Sequence, residues 1–421
     1  MKELTLSSIL LAAIFITVAN NAKAMSLPQE SSAGMSQEKF TVALVPAENG
    51  SYTISPQIPE DGKVPAGAEI TVTATPSSGY SLDAVYYTVK GGMWGTTSYE
   101  SFTPEMKITI DKDMSVGATF IQSSLVKNID VIQDIVYAQP GVKPLKYDVF
   151  SPKGAKNLPC IIIIHGGGWS SNNEDIMRGL ARELTKGGQY VVFSIDYRWI
   201  KNLDGDAKPN YMHELIEDVF GAIAHIQEHA AEYGGDPTRI AVTGDSAGGH
   251  LSESAAVLCT LIGDGGFGEQ EGVYEYMPSY ISEGKKVDLV KDEMTNAIKA
   301  VAPSYGPSQA SDFQMFLEQK DQAYWDAISP LKHVPNVNKR AIPHFIVRAK
   351  EDPVVPHQVV QSYVDALRAA GQTAKYIQVE GAGHAFFDWK PDAGTRATFA
   401  KYGVPYAAEM RAFFDDVFYK N

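Results

Sequence analysis

Three short stretches of this 421-residue chain carry residue types suited to nucleophilic chemistry. The first is Gly244-Asp245-Ser246-Ala247-Gly248-Gly249, set between the apolar run Ile240-Ala241-Val242-Thr243 and a helix-like stretch reaching Leu258. A strand that turns sharply into a helix around a serine lifts the hydroxyl clear of the backbone, and only small neighbours fit so tight a turn. The second is His165-Gly166-Gly167-Gly168-Trp169, directly after four consecutive isoleucines. Its glycines leave backbone N–H groups uncovered. Acyl transfer needs such donors because the carbonyl oxygen becomes an anion in the tetrahedral transition state. The expected donors are the N–H groups of Gly167, Gly168 and Ala247. The third stretch is split: Lys350-Glu351-Asp352-Pro353 follows one apolar run, and Glu380-Gly381-Ala382-Gly383-His384 follows another. A carboxylate at a strand end can hold the tautomer of an imidazole, which then takes the proton of the serine. Ser246, His384 and Asp352 are the candidate nucleophile, base and acid.

Neighbouring residues compete for these roles. Glu351 and Asp352 point to opposite faces of a strand-like segment, so only one reaches the histidine, and Asp352 is the choice. His357 follows the acid too closely and is expected to start a helix. His250, four residues after the serine on the same helix, is expected to pack, and Asp245 to point away from the hydroxyl toward loop hydrogen bonds. His165 has no second metal ligand at a recognisable spacing; fixing the shape of the glycine loop suits it better. Neither a metal nor an organic cofactor is expected. Trp169 and Tyr276 are the expected substrate contacts.

These groups need a scaffold that brings strand ends to one rim. Strand-like runs at 130–136, 145–150, 160–164, 190–195, 240–242, 298–302, 344–349 and 374–379 alternate with helical patterns near 176–186, 214–233, 357–370 and 405–418. Such alternation predicts an α/β fold: a mainly parallel sheet with helices on both faces and catalytic groups at the carboxyl ends of its strands. The predicted catalytic domain covers 125–421, with an insertion at 261–296 that is longer than a minimal crossover and is either a lid or a surface excursion. Upstream, residues 38–122 read as a small all-β domain of short strands punctuated by Asn49-Gly50, Asp61-Gly62 and Ser78-Gly79. Its aromatics Tyr86, Tyr87, Trp94 and Tyr99 either touch glycan or cover a small core, in which case the domain is a spacer.

Residues 1–24 read as a signal peptide: Lys2, a short apolar core, then Ala22-Lys23-Ala24, with cleavage after Ala24 into a secreted or periplasmic space. No membrane attachment is expected after cleavage. A formal net charge of −14 argues against nucleic acid and anionic membrane as partners. Export permits a disulfide between Cys160 and Cys259, but their positions favour two buried thiols.

The Ser246, Asp352, His384 order resembles that of the α/β-hydrolase fold. Residues from about 125 to 421 are similar to secreted bacterial feruloyl-esterase-like and acetyl-xylan-esterase-like enzymes near the hormone-sensitive-lipase group. The shared motifs also include Ser194-Ile195-Asp196-Tyr197-Arg198, Tyr233-Gly234-Gly235-Asp236-Pro237 and Val301-Ala302-Pro303-Ser304-Tyr305-Gly306-Pro307. The resemblance implies a serine esterase acting on small-molecule or oligosaccharide esters, with acetyl or feruloyl groups on xylan as the expected substrates. The upstream domain resembles the internalin B-repeat through Pro65-Ala66-Gly67-Ala68-Glu69-Ile70-Thr71-Val72 and Ile110-Asp111-Lys112-Asp113-Met114. Two alternatives stand beside this reading. A prolyl-oligopeptidase-like exopeptidase would need a propeller that about 85 residues cannot supply, and a non-catalytic glycan-binding protein would have no use for an intact serine, acid and histidine.

Overall fold

The computed structural model describes residues 38–90, 96–265, 275–317 and 321–420. The expected signal peptide and Trp94 lie outside them. The upstream domain holds β1 (Lys39–Leu44), β2 (Gly50–Ser55), β3 (Lys63–Pro65), β4 (Glu69–Pro76), β5 (Tyr80–Lys90), β6 (Thr96–Ser101), β7 (Glu105–Thr109) and β8 (Met114–Gln122). Among the described residues they form two sheets, ordered β3-β1-β8-β5-β6 and β2-β4-β7. In β4, Ile70, Val72 and Ala74 alternate inward with outward polar residues, the period-2 pattern of a half-buried strand. They meet Val85, Ile108, Val116 and Phe120 in one small core. Strands β3 and β6 were not expected. β6 reads Thr-Thr-Ser-Tyr-Glu-Ser, and as an edge strand it needs no apolar face of its own.

The larger domain contributes β9 (Ile129–Ala138), β10 (Leu145–Pro152), β11 (Leu158–Ile164), β12 (Val191–Ile195), β13 (Gly235–Asp245), β14 (Ile298–Ser304), β15 (His344–Ala349) and β16 (Ala374–Val379). Its helices are α1 (Arg178–Thr185), α2 (Met212–His229), α3 (Ala247–Val257), α4 (Val287–Ala297), α5 (Gln322–Ala327), α6 (His357–Ala369), α7 (Ala393–Thr398) and α8 (Val404–Phe418). The sheet order is β16-β15-β14-β13-β11-β12-β10-β9. Strands from β12 to β16 run parallel, and β9 and β10 close one edge antiparallel. All four isoleucines of β11 are fully buried. Ile161 and Ile163 face the side of α1 and α8, while Ile162 and Ile164 face the side of α2, α3 and α4. Burial of each contributes about 1.5–3 kcal/mol, so this strand needs apolar residues on both faces.

One expectation is refined. The stretch 261–296 contains α4, whose Val290, Met294 and Ala297 are buried, so part of it is an ordinary crossover helix between β13 and β14. Residues 266–274 lie outside the described residues. Cys160 and Cys259 are free, buried thiols, and burial pushes that of Cys160 up to about 12.

Candidate active site

Because the central strands are parallel, the ends of β11, β12, β13, β14, β15 and β16 share one rim of the sheet. The nucleophile candidate sits where β13 meets α3. Ser246 has φ 53° and ψ −115°, a left-handed conformation that few side-chain-bearing residues adopt. Its N–H donates to the Ser304 carbonyl at 2.9 Å, which ties the turn to β14. The surrounding glycines are demanded by space. A Cβ on Gly248 would lie 2.0 Å from the Ile164 carbonyl oxygen, and one on Gly244 would lie 2.3 Å from the Gly248 carbonyl oxygen. Backbone cannot give way as a flexible side chain can. Gly248→Ala is therefore expected to cost roughly 3 kcal/mol or more, measurable by urea unfolding.

His384 bridges the other two groups. Its Nε2 lies 2.8 Å from Ser246 Oγ and its Nδ1 lies 2.8 Å from Asp352 Oδ2. Asp352 Oδ1 accepts the backbone N–H groups of Val354 at 2.8 Å and Val355 at 3.0 Å, which fix the carboxylate plane. Burial alone would raise the Asp352 pKa, but His384 and those two N–H groups override it and hold the carboxyl below its ordinary range. The acid therefore stays ionised beside the imidazole. Glu351 is exposed, and its N–H donates to the Ala382 carbonyl. His357 starts α6 at the surface with Nδ1 3.2 Å from Tyr376 Oη.

The glycine loop lies against the same turn. Gly167, Gly168 and Trp169 have φ of 121°, 61° and 56°. A Cβ on Gly167 would meet the Ser171 carbonyl oxygen at 2.3 Å. Among the described residues, the N–H groups of Gly167, Gly168 and Ala247 donate to no other atom. His165 holds the loop from behind: its Nδ1 donates to the Gly166 carbonyl at 2.7 Å, its Nε2 faces Asp196 at 3.1 Å, and its ring stacks on Tyr197. Asp245 points away from the hydroxyl. Its Oδ1 accepts the Gly166 N–H at 2.7 Å, locking the nucleophile turn to the glycine loop. Burial, then Asp388 nearby, pushes its carboxyl well above the ordinary range.

Of the two expected substrate contacts, one is displaced. Tyr276 is fully buried in the core, edge-on to Phe220, and its hydroxyl donates to the Ala327 carbonyl at 3.1 Å. A ring with no exposed surface cannot touch a ligand at the rim. Trp169 is 3% exposed and packs with Phe313, Phe316 and His250 against the first turn of α3. His250 donates from Nε2 to the Ile328 carbonyl at 2.9 Å, and burial pulls its pKa down to about 4, so it is neutral packing. One supporting residue was missed. Tyr305 sets its ring edge-on to His384, with centroids 5.0 Å apart, and its hydroxyl accepts the Phe387 N–H at 3.3 Å. Its position just past the end of β14 was the available signal.

A sequence profile described as BD-FAE matches residues 147–367, and one described as a divergent InlB B-repeat domain matches residues 40–124. The carboxylesterase NlhH of Mycobacterium tuberculosis is 37% identical over 134 residues, which is 31% of this chain and 40% of that protein. The probable carboxylic ester hydrolase LipM of the same organism is 28% identical over 249 residues, 54% of this chain and 49% of that protein. The chain thus spans about half, or less, of the length of these curated relatives. Among solved structures, a truncated carbohydrate esterase from gut microbiota shares the fold with TM-score 0.50 at 24% identity, covering 68% of this chain and 95% of its own. An esterase from Thermogutta terrifontis, Est2, has TM-score 0.50 at 21% identity, covering 70% and 95%. The BD-FAE match takes in the glycine loop, Ser246 and Asp352; His384 lies beyond it and is placed by geometry alone. Spanning more than half of the sequence, that match identifies the chain as a member of the BD-FAE family of α/β-hydrolase esterases.

Proposed function

We propose that this protein is an exported serine carboxylic-ester hydrolase working through an acyl-enzyme. The observation that carries the proposal is the unbroken hydrogen-bonded line from Ser246 Oγ through His384 to Asp352, set at a strained strand-to-helix turn. His384 Nε2 takes the hydroxyl proton as Ser246 Oγ attacks the ester carbonyl, and Asp352 stabilises the imidazolium that forms. The N–H groups of Gly167, Gly168 and Ala247 receive the oxyanion. His384 then returns the proton to the departing alcohol, and water repeats the sequence to free the acid.

The proposed substrates are acetyl or feruloyl esters on xylan-type oligosaccharides. The acidic net charge of −14, the signal-like first 24 residues and the resemblance to polysaccharide-acting esterases support this choice. No helix among the described residues is long and apolar enough to cross a membrane. Trp169, 3% exposed beside the glycine loop, is the proposed substrate contact. Glycan contact by the upstream domain rests on Tyr99, the partly exposed ring stacked on Tyr87, since Tyr86 is buried. Incubation with acetylated and feruloylated xylo-oligosaccharides, with released acids quantified by chromatography, tests the substrate. Release of acetate or ferulate by wild type and not by Ser246→Ala is the expected result; hydrolysis of p-nitrophenyl acetate with neither acid released rejects the xylan assignment.

A further inference from the structure

The upstream domain packs against the larger one, the described residues from Lys39 onward forming one compact unit. The two domains meet at Asp83. This residue sits in β5 where the pairing with β8 slips between Leu82 and Ala84, a bulge that adds one residue and re-aims its side chain. The carboxylate is thereby turned out of its own domain and into the larger one, where it is only 2% exposed.

Four donors of the larger domain surround it. Arg182 Nη1 and Arg396 Nη2 each lie at 2.9 Å, Arg178 Nε at 3.4 Å and Trp389 Nε1 at 3.0 Å; Thr119 Oγ1 of its own domain adds a fifth at 3.2 Å. Burial would raise the carboxyl pKa, but the three arginines reverse this and hold it far below the ordinary range. A second carboxylate of the upstream domain, Glu100 on β6, pairs with Arg178 as well.

The partners of Asp83 lead to the catalytic rim. Trp389 follows His384 by five residues on the same loop. The guanidinium groups of Arg182 and Arg396 lie over its indole, 4.7 and 5.2 Å from the ring centroid. The Trp389 backbone N–H donates at 2.9 Å to the carbonyl of Ile176, in the turn that leads from the glycine loop into α1. Helix α1 makes room for the ring at Gly179, where a Cβ would lie 2.9 Å from it. Between His384 and Trp389 the chain has little freedom: Ala385 is left-handed at φ 62°, Phe386 and Phe387 are fully buried, and the Asp388 N–H donates to the Ala385 carbonyl at 3.2 Å. Displacing Trp389 would therefore move His384 along with it.

We propose that Asp83 is a positioning residue for His384, so that the upstream domain, through Trp389 and its flanking arginines, completes the catalytic geometry of the larger one. This rests on the reading of Ser246, His384 and Asp352 as an acyl-transfer triad. Asp83 touches no reacting atom; it acts through the loop.

The test uses two full-length variants. Trp389→Phe removes the indole donor and keeps a ring beside the arginines, whereas Asp83→Asn removes the charge that three arginines share. For each folded variant, kcat for p-nitrophenyl acetate is expected to fall roughly 10- to 100-fold with KM within about twofold of wild type, as a small misplacement of a catalytic group produces. The rate at which a fluorophosphonate modifies Ser246 should fall in parallel. A brace that adds stability alone would lower the melting temperature and leave kcat per folded molecule unchanged, and that result overturns the inference. If Asp83→Asn fails to fold, Trp389→Phe decides by itself. Ser246→Ala run alongside separates the two claims: its inactivity with unchanged Trp389→Phe sinks the positioning role only, whereas its retained activity sinks the triad.

Discussion

Ser246→Ala is expected to lower kcat for p-nitrophenyl acetate by roughly 10⁴- to 10⁶-fold, the range seen when an acyl-transfer nucleophile is removed. The size of the effect follows from how the turn is built. Ser246 is both held at a left-handed φ and hydrogen-bonded to an imidazole. Alanine fits the same space, so the fold and its melting temperature should be retained while turnover disappears. Measured background hydrolysis sets the floor. A variant that keeps more than about a tenth of wild-type kcat is incompatible with Ser246 as nucleophile.

Asp352→Asn is the second large effect, with kcat expected to fall about 10⁴-fold while KM changes little. The two oxygens of Asp352 have different jobs: Oδ1 receives the N–H groups of Val354 and Val355, and Oδ2 faces His384 Nδ1. An asparagine would keep its carbonyl oxygen on the two backbone donors and turn its NH₂ toward Nδ1. The imidazole must then accept at Nδ1 and carry its proton on Nε2, the atom that faces Ser246 Oγ. A base already protonated there cannot take the hydroxyl proton. The fold should be nearly unaffected because the backbone hydrogen bonds survive. A loss below about tenfold, read from the same assay, would mean that Asp352 does not set the tautomer.

Much of this site was legible in the sequence because its chemistry is local. The turn at Ser246 needs small residues within two positions on either side, and the strand before the glycine loop needs apolar residues on both faces, so each is written in a continuous stretch. The order of the acid and the histidine, each placed just after an apolar run, completed the pattern. Helix α4 is also readable, since Val290, Met294 and Ala297 recur at helical spacing. Tyr276 shows what a sequence leaves out. A tyrosine in an insertion looks the same whether its ring faces solvent or fills the gap beside Phe220.

The docking of the two domains was hidden for a different reason. Asp83 is one polar residue in a strand of a small domain, and its partners in the larger domain lie 95 to 313 residues away. Its inward aim depends on a bulge, which leaves no compositional mark, and β6 lacks the apolar alternation that announces a strand. Long-range charge pairing of this kind becomes visible only once the chain is folded.

The acyl-enzyme account is tested most directly by stoichiometric labelling. After incubation with a fluorophosphonate, intact mass should rise by one adduct, peptide mapping should place it on Ser246, and hydrolysis of p-nitrophenyl acetate should vanish in step with labelling. Inactivation with the adduct on another residue and Ser246 unmodified would contradict it.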